Sequence, residues 1–141
     1  MKKACCFCGH RDTPESILLS LEQKIQYLIT QEQVQQFYVG NEGNFDRMAR
    51  KSLYKLQQSY PWIQIAIVLA YLPHTREELS KDTLYPEGLE NVPPKYAIIY
   101  RNRWMIDHCD YLISYVTRSY GGAVRMLSYA MQKKRTIFSL C

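Results

Sequence analysis

Three short stretches of the 141-residue chain combine glycine with histidine, arginine or asparagine, and each precedes a segment of helical character. They are Gly9-His10-Arg11-Asp12, Gly40-Asn41-Glu42-Gly43-Asn44 and Thr117-Arg118-Ser119-Tyr120-Gly121-Gly122. Glycine lets a backbone approach a ligand closely, and the first N–H groups of a helix, which lack intrahelical partners, attract anions. Arg11 and Arg118 add charged, forked donors that suit phosphate or carboxylate. The pattern therefore predicts an anion site, provided that the fold brings the three loops together.

Apolar strand-like segments and helical segments alternate along the chain. The predicted strands cover residues 3–8, 36–39, 63–72, 111–116 and 136–140. Apolar stripes at helical spacing cover 17–29 and 45–56, and further helices are predicted at 96–108 and from Gly122 to about Gln132. Residues 73–95 contain four prolines and are predicted as a long loop with one short helix around Glu77.

This alternation predicts an α/β fold, a single Rossmann-like domain that spans residues 1–141. Its three α/β/α layers would contain a five-stranded parallel sheet with the strand order 3-2-1-4-5. In open sheets of this class, ligands bind outside the carboxyl ends of the strands, where the strand order reverses. That crevice lies between the first and fourth strands, and we expect the three glycine loops to surround it.

The helix predicted at 96–108 adds polar groups to this crevice. Its spacing places Asn102 on an otherwise apolar stripe, with Arg101 at the flank. A polar group on a buried face needs a partner, which favours a ligand held by Asn102. The alternative is that Arg101, Asn102 and Arg103 form the solvated side of the helix. His10 also has two interpretations, either a ligand donor or base, or a capping and packing residue.

Five cysteines at irregular spacing indicate reduced thiols and not a disulfide framework. Cys5 and Cys8, followed by His10, resemble half of a zinc site. However, the alternation of side chains along a strand places Cys5 on the face opposite Cys6 and Cys8, which is poor geometry for a shared metal. We therefore expect no metal and no cofactor.

Composition and charge narrow the classes of partner. No apolar run approaches the roughly 20 residues of a membrane helix, and the N-terminus has no signal-peptide core. The chain is therefore predicted to be cytoplasmic, with no membrane partner. A net charge of +5 suits an anionic ligand, and scattered lysines and arginines also make an ordinary solvated surface.

Six stretches occur in the order in which they are found in a known superfamily: CCFCGHR, FYVGNEGNFD, VLAYLP, YPEGLE, RNRWMIDHCDYLISYV and SYGGA. On these stretches the chain resembles the SLOG superfamily. This Rossmann-like group contains the Lonely Guy phosphoribohydrolases, the DNA-processing protein A domain, and small bacterial and phage members. The resemblance covers almost the whole chain. It implies a homo-oligomer, and a nucleotide or nucleotide-derived ligand across the first loop and the loop after strand four.

The resemblance also matches particular positions. The turn after strand one corresponds to Gly9, His10 and Arg11, the helix bordering the pocket contains Arg101, Asn102 and Met105, and the phosphate-binding turn corresponds to Gly121 and Gly122. Together with the loop pattern, this gives the full set of predicted ligand-binding residues: Gly9, His10, Arg11, Gly40, Asn41, Gly43, Arg101, Asn102, Arg118, Gly121 and Gly122.

The chain departs from the hydrolases of this superfamily in one turn. Those enzymes follow the glycine pair with Gly-Thr and then with a glutamate that assists glycosidic cleavage, whereas residues 123–128 contain no carboxylate. The second loop offers Glu42 or Asp46 as substitutes, and Asp46 is equally explained as a first-turn helix acid.

The main hypothesis is therefore a ligand-binding or sensor module for a nucleotide-like small molecule. One alternative is an N-glycosidic hydrolase that acts on nucleoside monophosphates. A second is a single-stranded nucleic-acid binder that uses the basic run Lys133-Lys134-Arg135 with Tyr129.

Overall fold

The computed structural model describes residues 2–72 and 81–141 and shows a parallel sheet with helices on both faces. The strands are β1 (Lys3–Gly9), β2 (Val34–Val39), β3 (Gln64–Val68), β4 (Thr83–Leu84), β5 (Tyr111–Tyr115) and β6 (Thr136–Ser139). The α-helices are α1 (Leu18–Gln31), α2 (Gly43–Gln57), α3 (Ala97–Asp107) and α4 (Gly122–Gln132), with 3-10 turns at Glu15–Ile17, Leu89–Asn91 and Pro94–Tyr96. None of the described helices has the length and apolar character needed to cross a membrane.

The strand order is β4-β3-β2-β1-β5-β6, and every pairing is parallel. The predicted Rossmann-like α/β fold is confirmed, and its order 3-2-1-4-5 corresponds to β3-β2-β1-β5-β6. The prediction of five strands is wrong by one, because β4 adds a sixth strand at the edge beside β3. A two-residue strand has no periodicity to detect. It is defined by tertiary hydrogen bonds, such as the one that the Leu69 N–H donates to the Leu84 carbonyl at 2.8 Å.

Strand β3 is shorter than its apolar run predicted, because it ends at Val68 and not at residue 72. The run continues through Ala70, which is buried in a small separate cluster with Leu89 and Ala97. Burial against Leu89 and Ala97 therefore accounts for Ala70, whereas Tyr71 and Leu72 at the end of the run are exposed. The short helix predicted around Glu77 lies outside the described residues.

Strand β1 divides the core into two clusters through the alternation of its side chains. Cys5 and Phe7 pack with the apolar faces of α1 and α2. On the other face, Ala4, Cys6 and Cys8 pack with α3 and α4. The predicted separation of Cys5 from Cys6 and Cys8 is thus confirmed. In the part of the chain that the structure describes, no three His, Cys, Asp or Glu side chains are grouped as metal ligands.

The strand order reverses at β1, which pairs with β2 on one side and with β5 on the other. Successive crossovers therefore place α1 and α2 on one face of the sheet and α3 and α4 on the other. At such a reversal the loops that follow the two central strands separate and leave a crevice at their carboxyl ends. This is the topological position of the candidate site.

We predict that Gly9→Ala destabilises the fold, because a Cβ at this position would lie 2.2 Å from Cγ of Phe45. Overpacking of this kind costs about 1–3 kcal/mol, which urea denaturation measures as a lower free energy of unfolding. Gly122→Ala is the matched control, since nothing lies within 4 Å of a Cβ there. Equal free energies for the two variants would show that the contact between β1 and Phe45 is not tight.

Candidate functional site

A cleft of about 240 Å³ opens at the carboxyl ends of β1 and β5. Eight of the eleven predicted ligand-binding residues line it: Gly9, His10, Arg11, Arg101, Asn102, Arg118, Gly121 and Gly122. Both candidate acids, Glu42 and Asp46, also line it. The other three predicted residues, Gly40, Asn41 and Gly43, do not line the cleft and lie in the loop that supports it.

The N-terminus of α4 forms one wall of the cleft and is open. Gly121 has φ +102°, a conformation that favours glycine, and it precedes the first helical residue, Gly122. No side chain caps this helix end, and nothing lies within 4 Å of a Cβ built at either glycine. The first N–H groups of α4 and the positive end of its dipole therefore face unfilled space.

Two arginines stand at the rim of the cleft, and each is paired with an acid. Arg118 donates to the carboxylate of Asp12, and this hydrogen bond is the main cause of the raised pKa of Arg118 and of the lowered pKa of Asp12. Arg11 Nη1 lies 3.6 Å from Glu42 Oε2, and the side chain of Arg11 is two-thirds exposed. Because Arg11, Arg118 and Asp12 are exposed, these ion pairs are weak and can exchange with a stronger anion.

Arg101 differs from these two arginines because it is buried, with only 2% of its surface exposed. Its guanidinium donates to the Val68 carbonyl at 2.8 Å and to Asn102 Oδ1 at 2.9 Å. Across residues 2–72 and 81–141, no carboxylate oxygen lies within 4.0 Å of this guanidinium. Burial lowers the pKa of Arg101 and the nearby Asp46 opposes that shift, but an arginine keeps its proton in proteins.

The alternative that this part of α3 is its solvated side is therefore wrong for Arg101, although Arg103 is exposed. Asn102 is half-buried and does not interrupt the core by itself, since its amide oxygen accepts the Arg101 Nε–H. The spacing along α3 placed Arg101 at the flank. It could not show that the long side chain reaches the end of β3, because that contact depends on the packing of α3 against the sheet.

Gly40 brings a carboxyl group and this guanidinium close together. A Cβ at Gly40 would lie 2.4 Å from Asp46 Oδ2 and 3.0 Å from Arg101 Nη1, so only glycine leaves both groups in place. Asp46 Oδ2 accepts the Glu42 N–H at 3.1 Å, which is the bond expected of a first-turn helix acid. Burial raises the pKa of Asp46, and the charge of Arg101 partly offsets that shift.

The second loop also holds the first loop in position. Asn44 donates its backbone N–H to the Arg11 carbonyl at 2.9 Å, and its side-chain amide lies 3.4 Å from the Thr13 carbonyl. Gly43 has φ +84° and packs against Arg11, whose Cα would be 2.6 Å from a Cβ at residue 43. Asn41 contacts Arg101 through its Oδ1 atom at 3.5 Å.

His10 connects the first loop with the loop after β5. Its Nε2 atom accepts the Thr117 N–H at 3.0 Å, and its carbonyl accepts the Thr13 hydroxyl at 2.6 Å. The side chain is 7% exposed, and burial, followed by the charge of Arg118, lowers the pKa of His10. These contacts favour the packing interpretation, in which a neutral His10 holds two loops together at the edge of the cleft.

Tyr120 is a further side chain of the cleft, to which the sequence pattern gave no role. This side chain lines the cleft and is 71% exposed, so its ring stands at the entrance. The chain contains 12 tyrosines, and nothing in the spacing of Tyr120 distinguishes it from the others. Only its place between Arg118 and the glycine pair could have suggested it.

No family model and no curated protein matches the chain. Among solved structures, the chain is similar to DNA processing protein A from Streptococcus pneumoniae, with a TM-score of 0.71 and 20% identity over 98% of this chain. It is also similar to DNA processing protein A from Helicobacter pylori, described for its single-stranded DNA binding mode, with a TM-score of 0.68 and 14% identity over 97% of this chain. The chain spans 50% and 64% of these two proteins. At such identities the similarity establishes the Rossmann-like fold.

We predict that His10→Gln removes a pH-dependent part of the stability. A protonated His10 cannot accept the Thr117 N–H, and its pKa is lowered in the folded state from an ordinary value of about 6.5. The unfolded chain therefore binds this proton more readily, so the stabilisation is complete above pH about 6.5 and declines as the pH falls towards the folded-state pKa.

The free energy of unfolding, measured by urea denaturation from pH 7.5 to about 5, checks this. Gln keeps an acceptor oxygen and does not titrate, so the wild type should lose more stability than His10→Gln below pH about 6.5. Parallel curves for the two proteins would contradict the role given to His10.

Proposed function

We propose that this chain binds the phosphate group of a nucleotide or nucleotide-derived small molecule in the cleft, as a ligand-binding or sensor module. The observation that carries the proposal is the buried Arg101 guanidinium, which has no carboxylate within 4.0 Å among the described residues. It lines the same cleft as Gly122, at the open start of α4. The predicted cytoplasmic location and homo-oligomeric state stay predictions.

A buried guanidinium with no carboxylate in contact among the described residues favours a phosphate dianion in this cleft, because the nearby Asp46 only partly offsets the cost of burying Arg101. Removing a charged group from water is costly unless the group is paired, and neutral acceptors such as the Val68 carbonyl satisfy hydrogen bonds without neutralising the charge of Arg101. A phosphate next to Arg101 would supply the counter-charge. Its remaining oxygens would accept the free N–H groups at the start of α4, the common anion site of helix N-termini.

The size of the cleft supports a small ligand. Its volume of about 240 Å³ is below the roughly 300–1,000 Å³ of most small-molecule sites, which suits a phosphate with its sugar. A base attached to that sugar would extend to the entrance, where the exposed ring of Tyr120 offers a stacking surface.

The hydrolase alternative is less well supported by the two acids. Glu42 pairs with Arg11, and Asp46 is held by the Glu42 N–H, so both carboxyl groups already have structural partners. The raised pKa of Asp46 is the feature that a general acid would need. Release of free base from a nucleoside monophosphate, lost in Asp46→Asn, would establish this alternative instead.

We predict that Arg101→Met weakens the binding of a nucleoside 5′-monophosphate at least tenfold, while binding of the corresponding nucleoside changes by less than about twofold. The reason is that charged hydrogen bonds to the phosphate contribute about 1.5–3 kcal/mol, and the nucleoside lacks that group. Isothermal titration calorimetry with the monophosphate and the nucleoside measures both affinities. Arg47→Met, at an exposed arginine that pairs with Glu15, is the control.

Gly122→Val tests the same site without changing charge. Its side chain would occupy the open start of α4, and the free space around Gly122 lets the fold accept it. Ser128→Val introduces the same side chain at an exposed position of the same helix, outside the cleft. Loss of monophosphate binding in Gly122→Val but not in Ser128→Val supports the proposal, and unchanged affinity in both overturns it.

A second candidate function, single-stranded nucleic-acid binding, is favoured by a groove of about 890 Å³ between α3 and α4. This α3–α4 groove meets the cleft at Asn102, Gly122 and Met126, which line both. Arg103 and Arg125 also line it. A strand with one phosphate in the cleft could therefore continue along two further cations, and the similar protein from Helicobacter pylori is described as binding single-stranded DNA.

The aromatic side chain of this groove is Tyr129, whose ring lies 5.2 Å from Arg103 Cζ and 5.5 Å from Lys133 Nζ. Of the predicted basic run, only Lys133 joins it. Arg135 donates to the Ile106 carbonyl at 3.0 Å at the end of α3 and is thus engaged in the fold. The α3–α4 groove thus combines Arg103 and Arg125 with one aromatic ring, which are the residue types of a single-strand platform.

We predict that Arg103→Ala combined with Arg125→Ala weakens oligothymidylate binding and leaves mononucleotide affinity unchanged. Each lost phosphate contact should reduce the slope of log affinity against log salt by about 0.7. Fluorescence anisotropy at several salt concentrations measures this, with Lys51→Ala on the opposite helix layer as the control. An unchanged slope in the double variant would contradict a nucleic-acid path along this groove.

A further inference from the structure

Two buried thiols meet at a place that the proposed ligand site does not use. Cys6 lies in the centre of β1, and Cys109 follows the end of α3, so the two are 103 positions apart in the chain. Their Sγ atoms lie 2.9 Å from each other. Cys6 is fully buried and Cys109 is 3% exposed, within the cluster that α3 and α4 make with the sheet.

The backbone around this pair is fixed independently of the sulfur atoms. Asp110 donates its N–H to the Ala4 carbonyl at 2.8 Å, and the Ala4 N–H donates back to Asp110 Oδ2 at 2.9 Å. The ladder between β1 and β5 then places Cys6 opposite Leu112. Cys6 and Cys109 thus lie within three residues of the two hydrogen bonds between Ala4 and Asp110. The proximity of the two thiols is therefore part of the native fold.

We propose that Cys6 and Cys109 form a modification site, at which a hydroperoxide converts the two thiols into an internal disulfide. One thiol, at Cys109 on the less buried side, attacks the peroxide, becomes a sulfenic acid and releases the first product, which is water when the oxidant is hydrogen peroxide. The Cys6 sulfur then attacks the Cys109 sulfur and displaces the hydroxyl group as water. The two thiols lose two electrons, which reduce the O–O bond, and their two protons leave in the products.

Hydrogen peroxide suits this site because it is small and uncharged. Burial raises the pKa of the Cys6 thiol, which slows its reaction in comparison with the thiol of a dedicated peroxide sensor. The bond would tie the central strand to the end of the helix that carries Arg101, and it would close a long loop in the unfolded chain. Such a link stabilises a fold mainly by restricting the unfolded state.

The test uses Cys141→Ser, which removes the one exposed cysteine among those described. The folded protein is treated with hydrogen peroxide, quenched, denatured, alkylated and digested with trypsin for mass spectrometry. Residues 4–11 and 104–118 should appear as one linked peptide, lighter by two hydrogens than the sum of its parts and separated by a reductant. The melting temperature should rise by about 10 °C on oxidation and return on reduction.

Fragmentation of the linked peptide assigns the bond among Cys5, Cys6 and Cys8, and Cys109→Ala should leave Cys6 open to alkylation. If that variant does not fold, mapping in Cys141→Ser alone decides the question. Full alkylation of Cys6 and Cys109 after peroxide treatment would overturn the proposal. Equal yields of links to Cys5 or Cys8 would also overturn it, because they would show that the unfolded chain had reacted.

Discussion

The guanidinium group of Arg101 lies inside the protein, held by the carbonyl oxygen at the end of β3 and by the amide oxygen of Asn102. These partners satisfy its hydrogen bonds and leave its charge without a carboxylate in contact, as far as the described residues show. The neighbouring residues fit around this charge. Gly40 has no side chain where Arg101 and Asp46 approach each other, and the cleft opens on the same side.

The loops around the cleft are joined to one another by hydrogen bonds. His10 accepts a bond from the loop after β5, and Asn44 donates one to the first loop. The proposed anion site is thus preorganised, so that little conformational entropy would be lost on binding a ligand. The open end of α4 completes the arrangement, because its first N–H groups are directed at the space that these loops enclose.

Much of this architecture could be predicted from the sequence, because it follows local rules. Apolar stripes predicted α1 and α2, the sequence also predicted α3 and α4, and apolar runs predicted five of the six strands. The two glycine loops that follow β1 and β5 lie at the reversal of strand order, whereas the glycine loop after β2 lies beside that crevice. Strand β4 was not predicted, because a strand of two residues is too short to show an apolar periodicity. The burial of Arg101 could not be predicted for a related reason. The residue spacing describes α3 alone, whereas the burial of a long side chain depends on the elements that pack against the helix.

The same distinction applies to the candidate site: residue types could be predicted from the sequence, whereas contacts between distant residues could not. Glycine and arginine types indicated an anion, and eight of the predicted residues do line one cleft. The roles of Gly40 and Gly43 as packing positions depend on contacts with Asp46 and Arg11 that no spacing rule contains. The resemblance to SLOG proteins suggested the ligand class, and solved structures of similar fold place a single-stranded DNA binder among the neighbours of this chain.

A nuclear magnetic resonance titration of ¹⁵N-labelled protein with adenosine 5′-monophosphate shows directly whether the start of α4 and Arg101 bind a phosphate group. With a phosphate at the start of α4, the largest shifts should occur at the backbone amides of Gly122 and Ala123 and at the Nε–Hε group of Arg101, with saturation at one equivalent. Shifts confined to Arg103, Arg125 and their neighbours, or no saturable shift at all, would contradict a phosphate site at the start of α4.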